Sequence, residues 1–246
     1  MTKKIFILGV QKSGTSAVAG LLAKTFSRDV TLDLVGAIGS SEWQLAVKYG
    51  LLPFSEFVDS HSDAFQPPII KEPCLTFFYD ELRELYPEAH YLLVLRHPYE
   101  VIRSTLQRLR IPGYLNAIEF DEWDELNKTK AWRLCLDSSW LGRPVDNYVE
   151  ALAMRWQLST EICHDMNNIT VIKYEDFVKD KAGFIQSLGR ELNLGESIIE
   201  GVDYSTQFQP KGKSVDDWFS YFGNNVEQIN RICATGMMKF DYQELA

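Results

Sequence analysis

Short apolar segments alternate with helix-like segments along most of this chain of 246 residues. The apolar segments cover residues 4–10, 30–35, 68–71, 90–95 and 169–173, and a turn or a helical pattern follows each one. Strands that alternate with helices in this way are typical of βαβ units, whose strands lie parallel. The sequence therefore predicts an α/β fold with a central parallel sheet of about five strands, flanked by helices.

Two helices are especially clear. Apolar residues recur at helical spacing in residues 15–26, directly after the first strand, and again in residues 149–163. Residues 111–145 show no clean period and are longer than a usual connection, so they are either irregular or functional. Since no repeat, low-complexity tract or linker is visible, we expect a single domain over residues 1–246.

Charge and apolar content limit the partners. The chain has 25 Lys and Arg against 34 Asp and Glu, a net charge of −9, which argues against nucleic-acid or anionic-membrane binding. The early apolar run at residues 5–10 is far shorter than the ~20 residues that span a bilayer. The four cysteines lie far apart without a CxxC pair, as expected for reduced thiols rather than a zinc site. We expect a cytoplasmic protein with no membrane insertion.

A glycine-bounded turn separates the first strand from the first helix, in the segment ILGVQKSGTSAVAGLL. Backbone N–H groups at such a turn, together with the helix N-terminus, bind anions. A Walker A loop would place a lysine directly after the second glycine, but here Lys12 precedes Gly14 and Thr15 follows it. The sequence therefore predicts a P-loop-like phosphate site that is not a Walker A loop.

Two linked motifs carry a family resemblance. Lys-Ser-Gly-Thr-Ser at residues 12–16 resembles the 5′-phosphosulfate loop of sulfotransferases that use 3′-phosphoadenosine-5′-phosphosulfate (PAPS). The segment YLLVLRHPYEVIRSTLQR contains a strand followed by Arg96, with Ser104 eight residues later. That spacing resembles the 3′-phosphate motif of the same family. Because PAPS carries two separate anionic groups, two anion sites are what its binding requires.

Two weaker matches extend the resemblance. VIKYEDFVKD at residues 171–180 resembles the Tyr-Glu-Asp segment of the family, and KGK at residues 211–213 before DDWFSYF resembles its C-terminal Lys-Gly and Asp-Trp region. The sequence is thus similar to PAPS-dependent sulfotransferases from residue 5 to about residue 222. It is closer to the bacterial and glycan-modifying branches than to the cytosolic Lys-x-His type.

The resemblance implies PAPS as co-substrate, 3′,5′-adenosine bisphosphate as product, and no metal. Ala17 stands where the family often has an adenine-stacking aromatic residue, so Tyr174 becomes the candidate for that role. The cofactor-binding residues implied are Lys12, Ser13, Gly14, Thr15, Ser16, Arg96, Ser104, Tyr174, Lys211, Gly212 and Lys213. The acceptor would be a small molecule or a carbohydrate, selected by residues 48–66 and 111–145.

Sulfuryl transfer needs cations near the leaving oxygen and a group that takes the acceptor proton. Lys12 can supply one cation, and Lys71 matches a lysine that many members place beside the acceptor. The histidine of the Lys-x-His arrangement is absent, because Glu72 and a proline follow Lys71. The preferred base is Glu42, which lies 30 residues after Lys12 as in the glycan-modifying branch. Glu72 is second.

Three weaker possibilities stay open at this point. His61 and His97 are lesser candidates for the base. A P-loop kinase with a degenerate loop is the alternative enzyme, disfavoured by Thr15 and by the second phosphate motif. A third possibility is a module of the same fold that binds adenosine bisphosphate and catalyses nothing.

Overall fold

The computed structural model describes residues 3–34, 42–164, 168–197, 200–210 and 212–244. Within them, five strands form one sheet, namely β1 (Ile5–Leu8), β2 (Val30–Leu32), β3 (Ile69–Lys71), β4 (His90–Leu95) and β5 (Ile169–Lys173). Their order is β2-β3-β1-β4-β5, and every neighbouring pair is parallel. The predicted α/β fold with a five-stranded parallel sheet flanked by helices is confirmed.

The α-helices of the described part of the chain are α1 (Thr15–Thr25), α2 (Glu42–Lys48), α3 (Phe54–Ser60), α4 (Ser62–Phe65), α5 (Tyr79–Leu85), α6 (Pro98–Leu109), α7 (Asp124–Lys128), α8 (Tyr148–Glu161), α9 (Tyr174–Lys179), α10 (Lys181–Glu191), α11 (Trp218–Phe222) and α12 (Asn225–Lys239). Five short 3-10 helices accompany them, at Pro73–Phe78, Phe120–Glu122, Lys130–Cys135, Ser139–Leu141 and Ile162–His164. None of these helices is long and apolar enough to cross a bilayer.

The chain forms two compact units. The first contains the sheet and consists of Met1–Gly36, Pro53–Arg96 and His164–Pro210. The second consists of Ala37–Leu52, His97–Cys163 and Lys211–Ala246. The extent of a single domain over residues 1–246 stays a prediction.

The first unit is built around β1, the middle strand of the sheet. Its residues are buried on both faces, which is why this strand appears in the sequence as a continuous apolar run. Ile5 and Ile7 belong to the core cluster that α1 and α10 cover. On the opposite face Phe6 stacks against Tyr91, with ring centroids 5.6 Å apart. Packing on both faces therefore fixes the end of β1, from which the next loop begins.

The second unit is helical. Helix α8 packs against α12, where the backbone N–H of Gly236 donates to Gln157 Oε1 at 3.0 Å. Residues 111–145 contain short 3-10 turns and α7, in agreement with the absence of a clean period. This segment is tied to α8, since Arg155 Nη1 donates to Leu134 O at 3.2 Å. Irregular backbone is thus held by buried polar side chains rather than by a helix ladder.

Strand ends differ from the prediction for a backbone reason. The segment predicted as a strand over residues 4–10 ends at Leu8, because Gly9 has a φ of 133°. The segment predicted over residues 30–35 ends at Leu32, because Asp33 adopts the left-handed conformation with a φ of 68°. Both turns occur at the carboxyl edge of the sheet, where polar side chains begin.

Candidate active site

The loop that follows β1 occupies the position where ligands bind in open parallel sheets. The strands β3 and β4 flank β1 on its two sides, so the connections after these strands diverge at that point. Ligands of doubly wound folds bind outside the carboxyl ends of the strands at such a switch point. Residues 9–14 form the turn there, and α1 begins at Thr15.

Positive φ angles give this loop its shape. Gly9, Lys12 and Gly14 have φ values of 133°, 71° and 103°. Ser13 is buried, and its hydroxyl and backbone N–H both donate to Val10 O, at 2.6 and 3.2 Å. No side chain caps α1, whose first backbone bond runs from the N–H of Ala17 to Gly14 O at 3.0 Å. The N–H groups of Thr15 and Ser16 therefore precede the helix ladder, as in anion-binding helix termini.

The side chain of Lys12 is held by a residue that the sequence analysis missed. Lys12 Nζ donates to Gln209 Oε1 at 3.0 Å, and Gln209 Nε2 donates to Ser16 Oγ at 3.3 Å. Gln209 thereby links the loop lysine to the first turn of α1. A glutamine 197 residues further along the chain carries no sequence signal for this contact.

Four predicted residues meet at the loop. Arg96 Nη1 donates to Lys12 O at 3.3 Å, and Arg96 Cζ lies 4.9 Å from the ring centroid of Tyr174. The ring of Tyr174 also lies so close to Gly14 that a Cβ there would be 2.2 Å from Tyr174 Cδ2. The structure therefore brings together Lys12, Gly14, Arg96 and Tyr174 at the ends of β1, β4 and β5.

Lys71 is the last residue of β3 and Glu72 follows it, and the polar groups of both are engaged by backbone or by a second side chain. Lys71 is buried, and its Nζ donates to a carboxylate oxygen of Asp33. Glu72 accepts from the N–H of Cys74 at 3.0 Å with one oxygen and from the N–H of Leu34 at 3.2 Å with the other. Burial raises the pKa of the Glu72 carboxyl, while the bond from Cys74 and the charge of Lys71 oppose that rise.

The segment after β3 is anchored to the loop. The N–H of Gly9 donates to Thr76 Oγ1 at 2.8 Å, and the Thr76 hydroxyl lies 3.3 Å from Gly9 O. Gln11 Nε2 donates to Cys74 Sγ at 3.6 Å. The ends of β1 and β3 thus form one connected polar edge.

Other predicted residues belong to the second unit. Ser104 is buried within α6. Glu42 is the first residue of α2, but its side chain lies outside the described residues, as does Lys211. Lys213 O accepts from Arg103 Nη1 and from Gln107 Nε2, the second at 3.1 Å.

Arg103 is a second residue that the sequence analysis passed over. It is buried, and its Nη2 donates to Glu100 Oε2 at 2.6 Å. Its position directly before Ser104, inside the motif quoted above, was the available signal. Near it a cleft of about 570 Å³ opens, lined by Gln107, Arg110, Ile111, Pro112, Trp123, Gly212, Lys213 and Tyr221.

The weaker histidine candidates make local contacts. His61 Nδ1 lies 2.9 Å from Phe57 O, and His97 Nε2 lies 3.0 Å from Gln243 O. Among the residues with described positions, no cluster of three or more His, Cys, Asp or Glu could hold a metal ion.

A five-stranded parallel sheet with a glycine-containing turn between β1 and α1 defines an α/β fold of the P-loop-like class. A model described as "Sulfotransferase family" matches residues 30–196, more than half of the chain. The chain belongs to the sulfotransferase family, whose members are PAPS-dependent transferases. The match begins after the loop of residues 9–14, so the loop and the family match are separate observations.

Solved sulfotransferase structures share the fold at low identity. One from Alicyclobacillus acidocaldarius is 16% identical, with a TM-score of 0.50 and 95% and 96% of the two chains covered. The sulfotransferase domain of the Synechococcus PCC 7002 olefin synthase is 17% identical, with a TM-score of 0.51 and coverage of 98% and 95%. STF1 of Mycobacterium tuberculosis H37Rv is 14% identical, with a TM-score of 0.56 and coverage of 96% and 77%. No curated protein matches the sequence significantly.

Proposed function

We propose that this protein transfers a sulfuryl group from PAPS to a hydroxyl or amine of a small-molecule or carbohydrate acceptor. The observation that carries the proposal is the loop after β1, where Lys12, Arg96 and Tyr174 converge on the uncapped start of α1. Family membership supports it, because the family consists of PAPS-dependent transferases.

The loop residues suit the phosphosulfate end of PAPS. Gly14 combines a left-handed backbone with the absence of a side chain, so backbone N–H groups can approach a phosphate closely. We assign the 5′-phosphosulfate to Lys12, Ser13, Gly14, Thr15 and Ser16. Helix N-termini and a lysine together stabilise an anionic group of this kind.

The remaining contacts with PAPS are assigned from the family motifs. We assign the 3′-phosphate to Arg96 and Ser104, and contacts with the nucleotide to Lys211, Gly212 and Lys213. We assign Tyr174 to contact with the adenine. The position of its ring supports this assignment, because the ring packs under the guanidinium of Arg96 and against Gly14 of the loop.

The transfer itself requires charge stabilisation and proton removal. A cation at Lys12 stabilises negative charge that develops on the leaving phosphate oxygen. The sequence predicts that Lys71 acts beside the acceptor. It also predicts that Glu42 or Glu72 takes the proton of the acceptor. Among these, Glu72 has both oxygens engaged by backbone N–H groups, which favours a structural role as the cap of Pro73–Phe78.

Acceptor choice is assigned to residues 48–66 and 111–145. The second segment contributes Ile111, Pro112 and Trp123 to the cleft of about 570 Å³.

Ligand-induced stabilisation tests the proposal. 3′,5′-Adenosine bisphosphate at 100 times its Kd should stabilise the protein by ~2.7 kcal/mol, without any metal. ATP with magnesium should produce no comparable shift. A shift with ATP and magnesium, but none with the bisphosphate, would favour the kinase alternative. Labelled PAPS incubated with pooled alcohols, phenols, amines and sugars should yield a labelled product. Binding of the bisphosphate without transfer to any pool would favour the non-catalytic module.

A further inference from the structure

A half-buried ion pair joins the ends of β2 and β3. Lys71 Nζ donates to the Asp33 carboxylate, and the N–H of Asp33 donates to Lys71 O at 2.8 Å. The next residue along repeats the link, since the N–H of Leu34 donates to Glu72 at 3.2 Å. Asp33 is therefore fixed relative to β3 by its backbone as well as by its side chain.

The two members of the pair differ in exposure. The side chain of Lys71 is 2% exposed, whereas that of Asp33 is 35% exposed. The ammonium group is sealed inside the unit, and the carboxylate is the part of the pair that solvent reaches. A substrate at this edge would thus meet Asp33 and not Lys71.

Strand register places the pair beside the phosphate loop. Lys71 is aligned with Leu32 on one side and with Ile7 on the other. Asp33 directly follows Leu32, and Leu8 directly follows Ile7. Asp33 and Leu8 therefore lie two strands apart, which is about 10 Å at the usual strand spacing. The loop begins at Gly9, and the Gly9–Thr76 bonds fix its distance from the end of β3.

The backbone of Asp33 adopts a conformation that is energetically unfavourable for most residues. Its φ of 68° is left-handed, a conformation that favours glycine, asparagine and aspartate. The turn ends β2 at Leu32 and directs the chain so that the carboxylate reaches Lys71. Neither the alternation of apolar residues nor the spacing from Lys12 singled out this residue.

We propose that Asp33 is the catalytic carboxylate that faces the acceptor, and that Lys71 is a positioning residue that holds the Asp33 carboxylate in its orientation. This inference rests on the proposed sulfuryl transfer. As the acceptor oxygen bonds to sulfur, its proton passes to the Asp33 carboxylate. The electron pair of the breaking S–O bond goes to the 5′-phosphate of the adenosine bisphosphate product, and Asp33 later releases the proton to water.

The central test is Asp33→Asn. Asparagine tolerates a left-handed backbone and keeps an oxygen for Lys71, so the fold should be retained. We expect kcat to fall by ~10² or more, with bisphosphate affinity within about twofold of the parent. Asp29→Asn is the matched control, because Asp29 is an exposed carboxylate just before the opposite end of β2. That variant should keep the parent's kcat.

Rescue separates a proton acceptor from a structural residue. Asp33→Gly removes the carboxylate and suits the positive φ, and added formate should restore part of its turnover. No rescue together with normal turnover of Asp33→Asn would overturn the inference. The inference would also be overturned if Asp33→Asn had a lower melting temperature and the resulting unfolded fraction accounted for all of the lost activity.

A double variant tests the role of Lys71. If Lys71 acts through Asp33, Asp33→Asn/Lys71→Met should turn over no more slowly than Asp33→Asn alone. A further loss equal to that of Lys71→Met would show that Lys71 acts on the transferring group independently. A dead Glu42→Gln beside an active Asp33→Asn would assign the proton to Glu42 and overturn the inference.

Measurements on the parent protein separate failure of the proposed function from failure of the role of Asp33. A parent that neither binds the bisphosphate nor consumes PAPS with any acceptor pool overturns the proposed function and the inference together. An active parent with an equally active Asp33→Asn variant overturns the inference alone.

Discussion

The guanidinium of Arg96 lies over the ring of Tyr174, with Cζ 4.9 Å from the ring centroid, while its Nη1 donates to Lys12 O at 3.3 Å. One side chain thus links the end of β4 to the start of α9 and to the phosphate loop. A contact of this type contributes about 0.5 to 2 kcal/mol depending on its exposure. These two contacts orient the Arg96 side chain, so binding of an anion at the predicted site would need less ordering of that side chain.

Arg96→Ala should weaken the binding of 3′,5′-adenosine bisphosphate about tenfold or more. The reason is the loss of a charge-assisted contact worth ~1.5 to 3 kcal/mol. Titration calorimetry measures the change. Arg96→Lys keeps the charge but loses the planar contact with Tyr174, so its affinity should be intermediate. Unchanged affinity of the alanine variant would remove Arg96 from the 3′-phosphate site.

Gly14→Ala should destabilise the protein and reduce bisphosphate affinity about tenfold or more. Its φ is 103°, and the added methyl would lie 2.2 Å from Tyr174 Cδ2. Gly195→Ala is a matched control, since Gly195 also has a positive φ, of 86°, but nothing lies within 4 Å of the added Cβ. The control should lose only the ~1 to 2 kcal/mol of backbone strain and bind normally. Urea unfolding measures the stability of both variants, and calorimetry measures their affinity for the bisphosphate. Equal losses of stability and of affinity in the two variants would contradict the role of the Gly14–Tyr174 contact.

Lys12→Ala should lower turnover by orders of magnitude and leave the melting temperature nearly unchanged. Its ammonium bonds Gln209 at an exposed position, and such contacts contribute little to stability. Lys24→Ala, which removes an exposed lysine from the last turn of α1, serves as control and should keep normal turnover. A large loss of stability with normal turnover in the folded fraction would argue that Lys12 is structural.

Glu72→Gln should change stability in a pH-dependent way. Burial raises the pKa of Glu72 in the folded state, so the folded protein binds this proton more tightly than the unfolded chain does. The stability this provides is fully present below the unfolded pKa and is lost as pH rises through the folded pKa. The glutamine variant lacks this titration, so its deficit against the parent should shrink as pH increases through that window. Urea unfolding at a series of pH values measures it, and a deficit that grows with pH would contradict the prediction.

Local features of the site were predictable because their residues are contiguous. Ser13, Gly14 and Thr15 lie between a strand and a helix whose periods are visible over a few residues, and the loop stands where those periods predict it. Strand limits at residues 90–95 and 169–173 were predicted without error, since apolar runs bounded by polar residues mark them. The early end of β2 was missed, because a left-handed aspartate leaves no trace in hydrophobic periodicity.

The sequence by itself determined the strand and helix alternation, the position of the loop at residues 9–14 and the family motifs, all of which depend on neighbouring residues. Only the tertiary structure decided which side chains meet. Lys71 and Asp33 are 38 residues apart, and Lys12 and Gln209 are 197 residues apart. Strand order and register bring Lys71 to Asp33, and the path of the chain after α10 brings Gln209 to the loop. Neither depends on local periodicity, because long-range contacts follow from how the elements pack against the shared core.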